Sequence, residues 1–145
     1  VPQQVEPLRQ RLISWGGNSS GQNIANIDNL GNVHPDTFWW NYNLGNVKDE
    51  PFSTIWSRSG DPLMDGFRMQ PRPVEGRCAQ CRYLNICGGN TRVRAYQLTG
   101  NPWAEDPACY LSDSEIGLPE NQRAERIPMP AHSGSAHRIH ARTLD

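Results

Sequence analysis

A chain of 145 residues that is only 36% hydrophobic falls below the roughly 45–50% of ordinary globular domains, which excludes a large core. The formal charge of −1 gives no global case for nucleic-acid binding, and no stretch reaches the eighteen or so apolar residues of a membrane span. Thirteen glycines and twelve prolines break the chain repeatedly, so short elements are expected, with a metal cross-link as a source of folding energy. The chain reads as soluble and intracellular. Its start at Val1, followed by a Pro- and Gln-containing stretch, reads as a piece cut from a longer polypeptide.

In chain order, Leu8 to Trp15 reads as the last turns of a helix or a strand belonging to an upstream unit, and Gly16 to Gly21 as a flexible turn. Alternation from Ile24, interrupted at Asn29-Leu30-Gly31-Asn32 and resumed from Val33 to Trp40, predicts a hairpin turning at Leu30-Gly31. A second turn is expected at Leu44-Gly45-Asn46, then a short helix capped by Ser53, and another from Leu63 to Phe67 after Asp61-Pro62. Pro71 and Pro73 impose an extended approach to the next segment. Thr91 to Leu98 is expected to be helical and to stop at Gly100-Asn101-Pro102. From about Leu118 the composition turns polar and Pro/Arg/His-rich, predicting a solvated, disordered tail.

Between those elements lie the four cysteines, Cys78, Cys81, Cys87 and Cys109, spaced C-x2-C-x5-C-x21-C with none left over. They amount to one tetrathiolate ligand set. Soft thiolates select iron-sulfur clusters or zinc over hard cations. Disulfides are the weakest reading, since no secretory signal is present. Zinc sites with four cysteines usually pair two C-x2-4-C knuckles, and only Cys78 and Cys81 form one here. A close triplet with a distant fourth cysteine favours iron-sulfur, with zinc as the rival.

The run Gly76-Arg77-Cys78-Ala79-Gln80-Cys81-Arg82-Tyr83-Leu84-Asn85-Ile86-Cys87-Gly88-Gly89, then Arg92-Val93-Arg94-Ala95-Tyr96, Leu98-Thr99-Gly100 and Asp106-Pro107-Ala108-Cys109-Tyr110, resembles the SPASM/twitch domain of radical SAM enzymes. The hairpin from Ile24 to Pro35 resembles that family's opening strand pair. The resemblance implies a small α+β domain over 21–116, preceded by a linker from an upstream radical SAM barrel over 1–20 and followed by a tail over 117–145. It implies one auxiliary 4Fe-4S cluster held by Cys78, Cys81, Cys87 and Cys109. The missing upstream part would supply S-adenosylmethionine binding and a second 4Fe-4S cluster, since no C-x3-C-x2-C triplet occurs in this chain; alone, it is not expected to be active.

Within the family, Trp15-Gly16-Gly17-Asn18-Ser19-Ser20-Gly21, Val33-His34-Pro35-Asp36-Thr37-Phe38-Trp39 and Gly89-Asn90-Thr91-Arg92-Val93-Arg94-Ala95 are similar to the branch acting in haem-d1 biosynthesis. This implies a cytoplasmic enzyme converting propionates of a didecarboxysirohaem to oxo groups, with an electron donor such as a ferredoxin or flavodoxin and neither nucleic acid nor membrane as a partner. A peptide-modifying relative is the alternative. Two-cluster members carry further cysteines; here Asp36 and Thr91 stand at two such positions, and Gly16 to Ser20 holds none, so one cluster is missing. Asp36 and Thr91 are expected simply to fill space.

Six arginines, Arg68, Arg72, Arg77, Arg82, Arg92 and Arg94, make the cysteine region positive. Their expected role is to offset an anionic cluster and solvate a surface, and the alternative is to grip substrate carboxylates, for which Arg92 and Arg94 are the candidates. Trp39, Trp40 and Tyr42 are expected in the core rather than stacked on a macrocycle. His34 is expected to be neither a proton donor nor an axial ligand, and His132, His137 and His140 to offer only adventitious metal binding.

Overall fold

The computed structural model describes residues 2–119. They form helix α1 (Pro2–Trp15), strands β1 (Asn26–Ile27), β2 (Asn32–His34) and β3 (Gly45–Asn46), and helices α2 (Phe52–Ser57), α3 (Pro62–Arg68), α4 (Gly76–Gln80), α5 (Leu84–Cys87), α6 (Arg92–Thr99) and α7 (Asp113–Ile116). Short helices beside one small sheet make the architecture α+β, as expected. The predicted tail and its His132, His137 and His140 lie outside the described residues, apart from Leu118 and Pro119 at its start. Among the described residues no helix is long and apolar enough to cross a membrane.

The hairpin is built on Asp28. Its Oδ1 accepts from the backbone N–H groups of Leu30 at 2.8 Å and Asn32 at 2.9 Å, and its Oδ2 from Asn32 Nδ2 at 2.9 Å. A carboxylate closing the turn from inside in this way sets the antiparallel register, with Ile27 opposite Val33 and Asn26 opposite His34. The second strand was expected to reach Trp40 but ends at His34. Pro35 has no N–H to continue the ladder, and the chain turns inward to bury Trp39. The expected turn at Leu44 to Asn46 is instead β3, which pairs with β2 through Asn32–Asn46 and Val33–Gly45. Two residues carry too little alternation to announce a strand.

Helix α2 follows Pro51 with no side-chain cap, and Ser53, the expected cap, lies one residue inside it. Helix α3 begins as predicted: Asp61 Oδ1 accepts from Met64 N at 2.9 Å and Pro62 occupies the first helical position. Helix α6 ends on Gly100, whose left-handed φ of 74° lets its N–H reach Tyr96 O at 2.8 Å. Helix α7 was not foreseen, although Ser112 and Glu115 form its capping box.

The core is compact and aromatic. Trp39, Leu63, Met64, Phe67 and Val93 are buried together, and Tyr42, Leu44, Trp56, Tyr96 and Trp103 pack around them. Trp39 meets Tyr42 and Phe67 edge-on at centroid distances of 6.0 and 5.9 Å, the arrangement that aromatic quadrupoles favour. Trp40 is 72% exposed, so only Trp39 and Tyr42 of the three follow the core expectation. His34 is buried inside the hairpin, with Nδ1 against Tyr42 O at 2.8 Å and Nε2 facing Asp28 at 3.4 Å.

Candidate metal centre

Two single-turn helices present the cysteine triplet. Helix α4 carries Cys78, and the Cys81 N–H bonds back to Cys78 O at 3.3 Å to close the turn. Helix α5 ends at Cys87, where Gly88 adopts φ 60° and its N–H reaches Leu84 O at 2.7 Å. A glycine in the left-handed region thus ends the helix directly behind a candidate ligand. The fourth cysteine returns on the loop after α6, with Cys109 N bonded to Asp106 O at 3.1 Å.

All four thiols line one cavity of about 810 Å³, walled by Leu8 and Leu12 of α1 and by Ile86, Leu111 and Ile116. Backbone N–H groups point at the sulfurs: Tyr83 N lies 3.4 Å from Cys81 Sγ and Asp106 N 3.4 Å from Cys78 Sγ. Such N–H donors favour thiolate over thiol. Burial opposes them. It pushes the Cys78 and Cys87 thiols above their ordinary range, so an electropositive partner is needed to hold them deprotonated.

A tetrahedral zinc with Zn–S bonds of about 2.3 Å needs its sulfurs about 3.8 Å apart. A polynuclear cluster, ligated at separate irons, needs thiolates spread around a space. Four soft thiolates on one cavity suit either, and the close triplet with a distant fourth cysteine favours the second.

The turn read as flexible is a packed junction. Gly17 is buried with φ 78°, and a Cβ on it would overlap the Cys87 carbonyl. Glycine here permits backbone to touch backbone. Helix α1 packs on α5, and Arg72 ties the junction shut: its Nη2 donates to Asn18 O at 2.6 Å and its Nη1 to Gly88 O at 3.3 Å. Burial, then the like charge of Arg92, brings the Arg72 pKa down to about 10, against the pull of Cys87, so it stays cationic at neutral pH.

Arg92 and Arg94, the candidates for the alternative role of gripping substrate carboxylates, are engaged within the chain. Arg92 is 0% exposed and donates from Nη1 to Ala104 O at 2.6 Å and Pro102 O at 3.3 Å. Arg94 grips both oxygens of Asp106, Nε to Oδ1 at 3.1 Å and Nη2 to Oδ2 at 2.6 Å. The physical reason lies in the return loop. Its carbonyls and Asp106 need donors as it passes α6, and these two side chains supply them. Arg77 likewise binds Asp113 at 2.7 Å, and Arg68 donates to the carbonyls of Arg58 and Trp56. The arginine cluster is therefore mostly internal stitching rather than a solvated surface.

Asp36 does more than fill space. It is 4% exposed, accepts the Ser20 hydroxyl and receives Phe38 N at 2.6 Å. Thr91 precedes α6 without a side-chain cap. Sequence reasoning missed Asp106, which links Cys78 to Arg94, and the apolar wall from α1; the Asp106-Pro107 step before Cys109 was the available signal.

The profile of the SPASM family, an iron-sulfur cluster-binding domain, matches residues 19–82, a stretch that contains Cys78 and Cys81 and stops before Cys87 and Cys109. Over these residues the chain is similar to the SPASM iron-sulfur family. Among curated relatives, the pre-heme d1 synthase of Dinoroseobacter shibae is 56% identical over 114 residues, covering 79% of this chain and 28% of that protein. The Fe-coproporphyrin III synthase of Methanosarcina barkeri is 43% identical over 122 residues, covering 82% of the chain and 31% of that protein. An AdoMet-dependent heme synthase of Nitratidesulfovibrio vulgaris is 36% identical over 89 residues, covering 61% and 23%. The chain spans less than a third of each of these proteins. No solved structure matches it.

Proposed function

We propose that this chain holds one 4Fe-4S cluster through Cys78, Cys81, Cys87 and Cys109, as the auxiliary-cluster part of a radical SAM enzyme acting on a tetrapyrrole, most specifically in haem-d1 synthesis. The observation that carries the first half is the convergence of all four thiols on one cavity although Cys109 stands 22 positions beyond Cys87. The second half rests on the relatives, whose names all describe haem or haem-precursor synthases. In this reading residues 1–20 lead in from a radical SAM barrel that binds S-adenosylmethionine and a second cluster, 21–116 form the cluster domain, and 117–145 follow it. The setting is cytoplasmic, with a ferredoxin- or flavodoxin-type electron donor.

Bound there, a 4Fe-4S cluster supplies one reversible electron. The chain's own residues do the rest. Four thiolates occupy every ligand position and leave none for a substrate. The N–H groups of Tyr83 and Asp106 point at Cys81 and Cys78, spreading thiolate charge. Leu8, Leu12 and Ile116 give the cavity an apolar lining. Arg92 and Arg94 hold the return loop that brings Cys109 into place, and we assign them that role instead of substrate contact.

Anaerobic reconstitution with iron and sulfide analysis tests the cluster. Four iron and four sulfide per chain are expected, and stoichiometric zinc in protein purified without oxygen overturns the assignment. For the substrate, the full-length enzyme is expected to bind didecarboxysirohaem tightly; selective binding of a leader peptide instead replaces haem-d1 synthesis with peptide modification.

A further inference from the structure

The two most deeply buried arginines among the described residues pair with no carboxylate. Arg77 pairs with Asp113, Arg94 with Asp106 and Arg58 with Glu50, whereas Arg72 at 4% and Arg92 at 0% exposure meet no acid within ion-pair reach among the described residues. Asp106 acts on Arg92 from a distance but is already gripped by Arg94 through both oxygens. Arg92 is also short of partners: its Nε and Nη2 are buried and bond to nothing among the described residues. An uncompensated buried cation is costly, and a second one beside it raises the cost.

Their placement identifies the missing anion. Arg72 Nη1 donates to Gly88 O, one residue after Cys87. Arg92 Nε lies 3.2 Å from where a Gly89 Cβ would stand, and its Nη1 holds Ala104, two residues before the Asp106 N–H that points at Cys78 Sγ. Both guanidiniums thus lie against the backbone at 88–89, the two residues that follow Cys87. The thiolates of Cys78 and Cys87 draw on Arg92, and that of Cys87 on Arg72.

We propose that Arg92, supported by Arg72, is the built-in counter-charge of the anionic cluster and sets its reduction potential as a positioning residue. This rests on the cluster reading above. Uptake of one electron from a reduced ferredoxin- or flavodoxin-type donor adds one negative charge to the site and moves no proton. A buried cation close to the thiols favours that more negative state. The potential is thereby raised relative to a neutral surround.

The test is a redox titration, followed by electron paramagnetic resonance, of the reconstituted full-length protein and its variants. Arg92→Met is expected to lower the reduced-to-oxidised ratio at fixed potential about tenfold, equivalent to about 59 mV for one electron. Arg92→Lys keeps the charge and is expected to stay near the wild type. Arg58→Met, which removes a half-exposed pair with Glu50, is expected to change nothing. Full iron and sulfide in Arg92→Met with an unchanged midpoint overturns the proposal. If Arg92→Met holds no cluster, Arg72→Met decides by the same titration, a lowered midpoint supporting and an unchanged one overturning. If neither Met variant holds a cluster, lysine at both positions decides: restored assembly supports a charge requirement, and failure overturns it in favour of a purely structural role. Wild-type protein that takes up no iron and sulfide removes the cluster reading itself, a separate outcome.

Discussion

Ser20 donates its hydroxyl to the carboxylate of Asp36, sixteen residues away, inside the protein. Both residues are nearly inaccessible, at 1% and 4%. Asn18 Oδ1 accepts from Ser20 N at 3.0 Å, and Gly21 N bonds to Pro35 O at 3.0 Å. The junction between α1 and the hairpin is therefore tied at a place where the family resemblance put cluster cysteines, and a polar bond stands there.

Removing that carboxylate leaves the Phe38 N–H without its acceptor and the Ser20 hydroxyl with Asn18 Oδ1 alone. A hydrogen bond to a buried charged group contributes about 1.5–3 kcal/mol. Asp36→Ala is expected to lower unfolding free energy by about 2 kcal/mol and Ser20→Ala by about 1 kcal/mol, read from denaturant midpoints. A midpoint unchanged in both would show the bond to be idle.

Cys109 offers the cleanest test of the ligand set. Cys109→Ala is expected to lose stable four-iron binding and to weaken amide protection across 76–110 together, because metal binding and folding are coupled where the core is small. Native protection with a stable four-iron cluster in this variant would mean that another residue completes the site.

Gly66 lies in α3 under the Trp103 indole, and a Cβ there would overlap the ring. Phe67 meets the same ring edge-on at 5.7 Å. Overpacking of a filled core costs about 1–3 kcal/mol, so Gly66→Ala is expected to be destabilising despite alanine's better helix propensity. Combined with Trp103→Phe, the loss is expected to be smaller than the sum of the single losses, because the smaller ring makes room. Additive midpoints would remove the steric explanation.

The hairpin turn carries a pH dependence. The Asn32 side chain, then the Asn32 and Leu30 N–H groups, hold the Asp28 carboxyl far below its ordinary value of 3.8. A depressed carboxyl contributes stability that is present above that ordinary value and is lost as pH falls toward the lower folded one. Stability is thus expected to decline below about pH 4, with the decline shallower in Asp28→Asn. An identical acid profile in the two proteins would place the titration elsewhere.

Local chemistry made several elements legible in the sequence. Asp28 and Gly31 at a turn, Asp61-Pro62 before a helix and Gly100 after one each act within a few residues, so the hairpin, α3 and α6 were readable. The four cysteines stood out as a group, because residue type and number follow from composition, and the fold lines one cavity with all of them. The rest depends on contacts that spacing does not encode. Ser53 had the chemistry of a cap but not its position, and β3 is two residues long, specified by pairing with β2 rather than by its own pattern. Gly17 looked like a flexible turn, yet it is the point where backbone meets the Cys87 carbonyl. Arginines that read as a charged surface became internal stitching, because the loop returning Cys109 exposes carbonyls and Asp106 that α6 must satisfy. Which arginines were left without an anion was decided only by the tertiary structure: a buried charge is defined by its neighbours in space, and Arg72 and Arg92 find theirs only once 16–18, 88–89 and 102–106 are folded around one cavity.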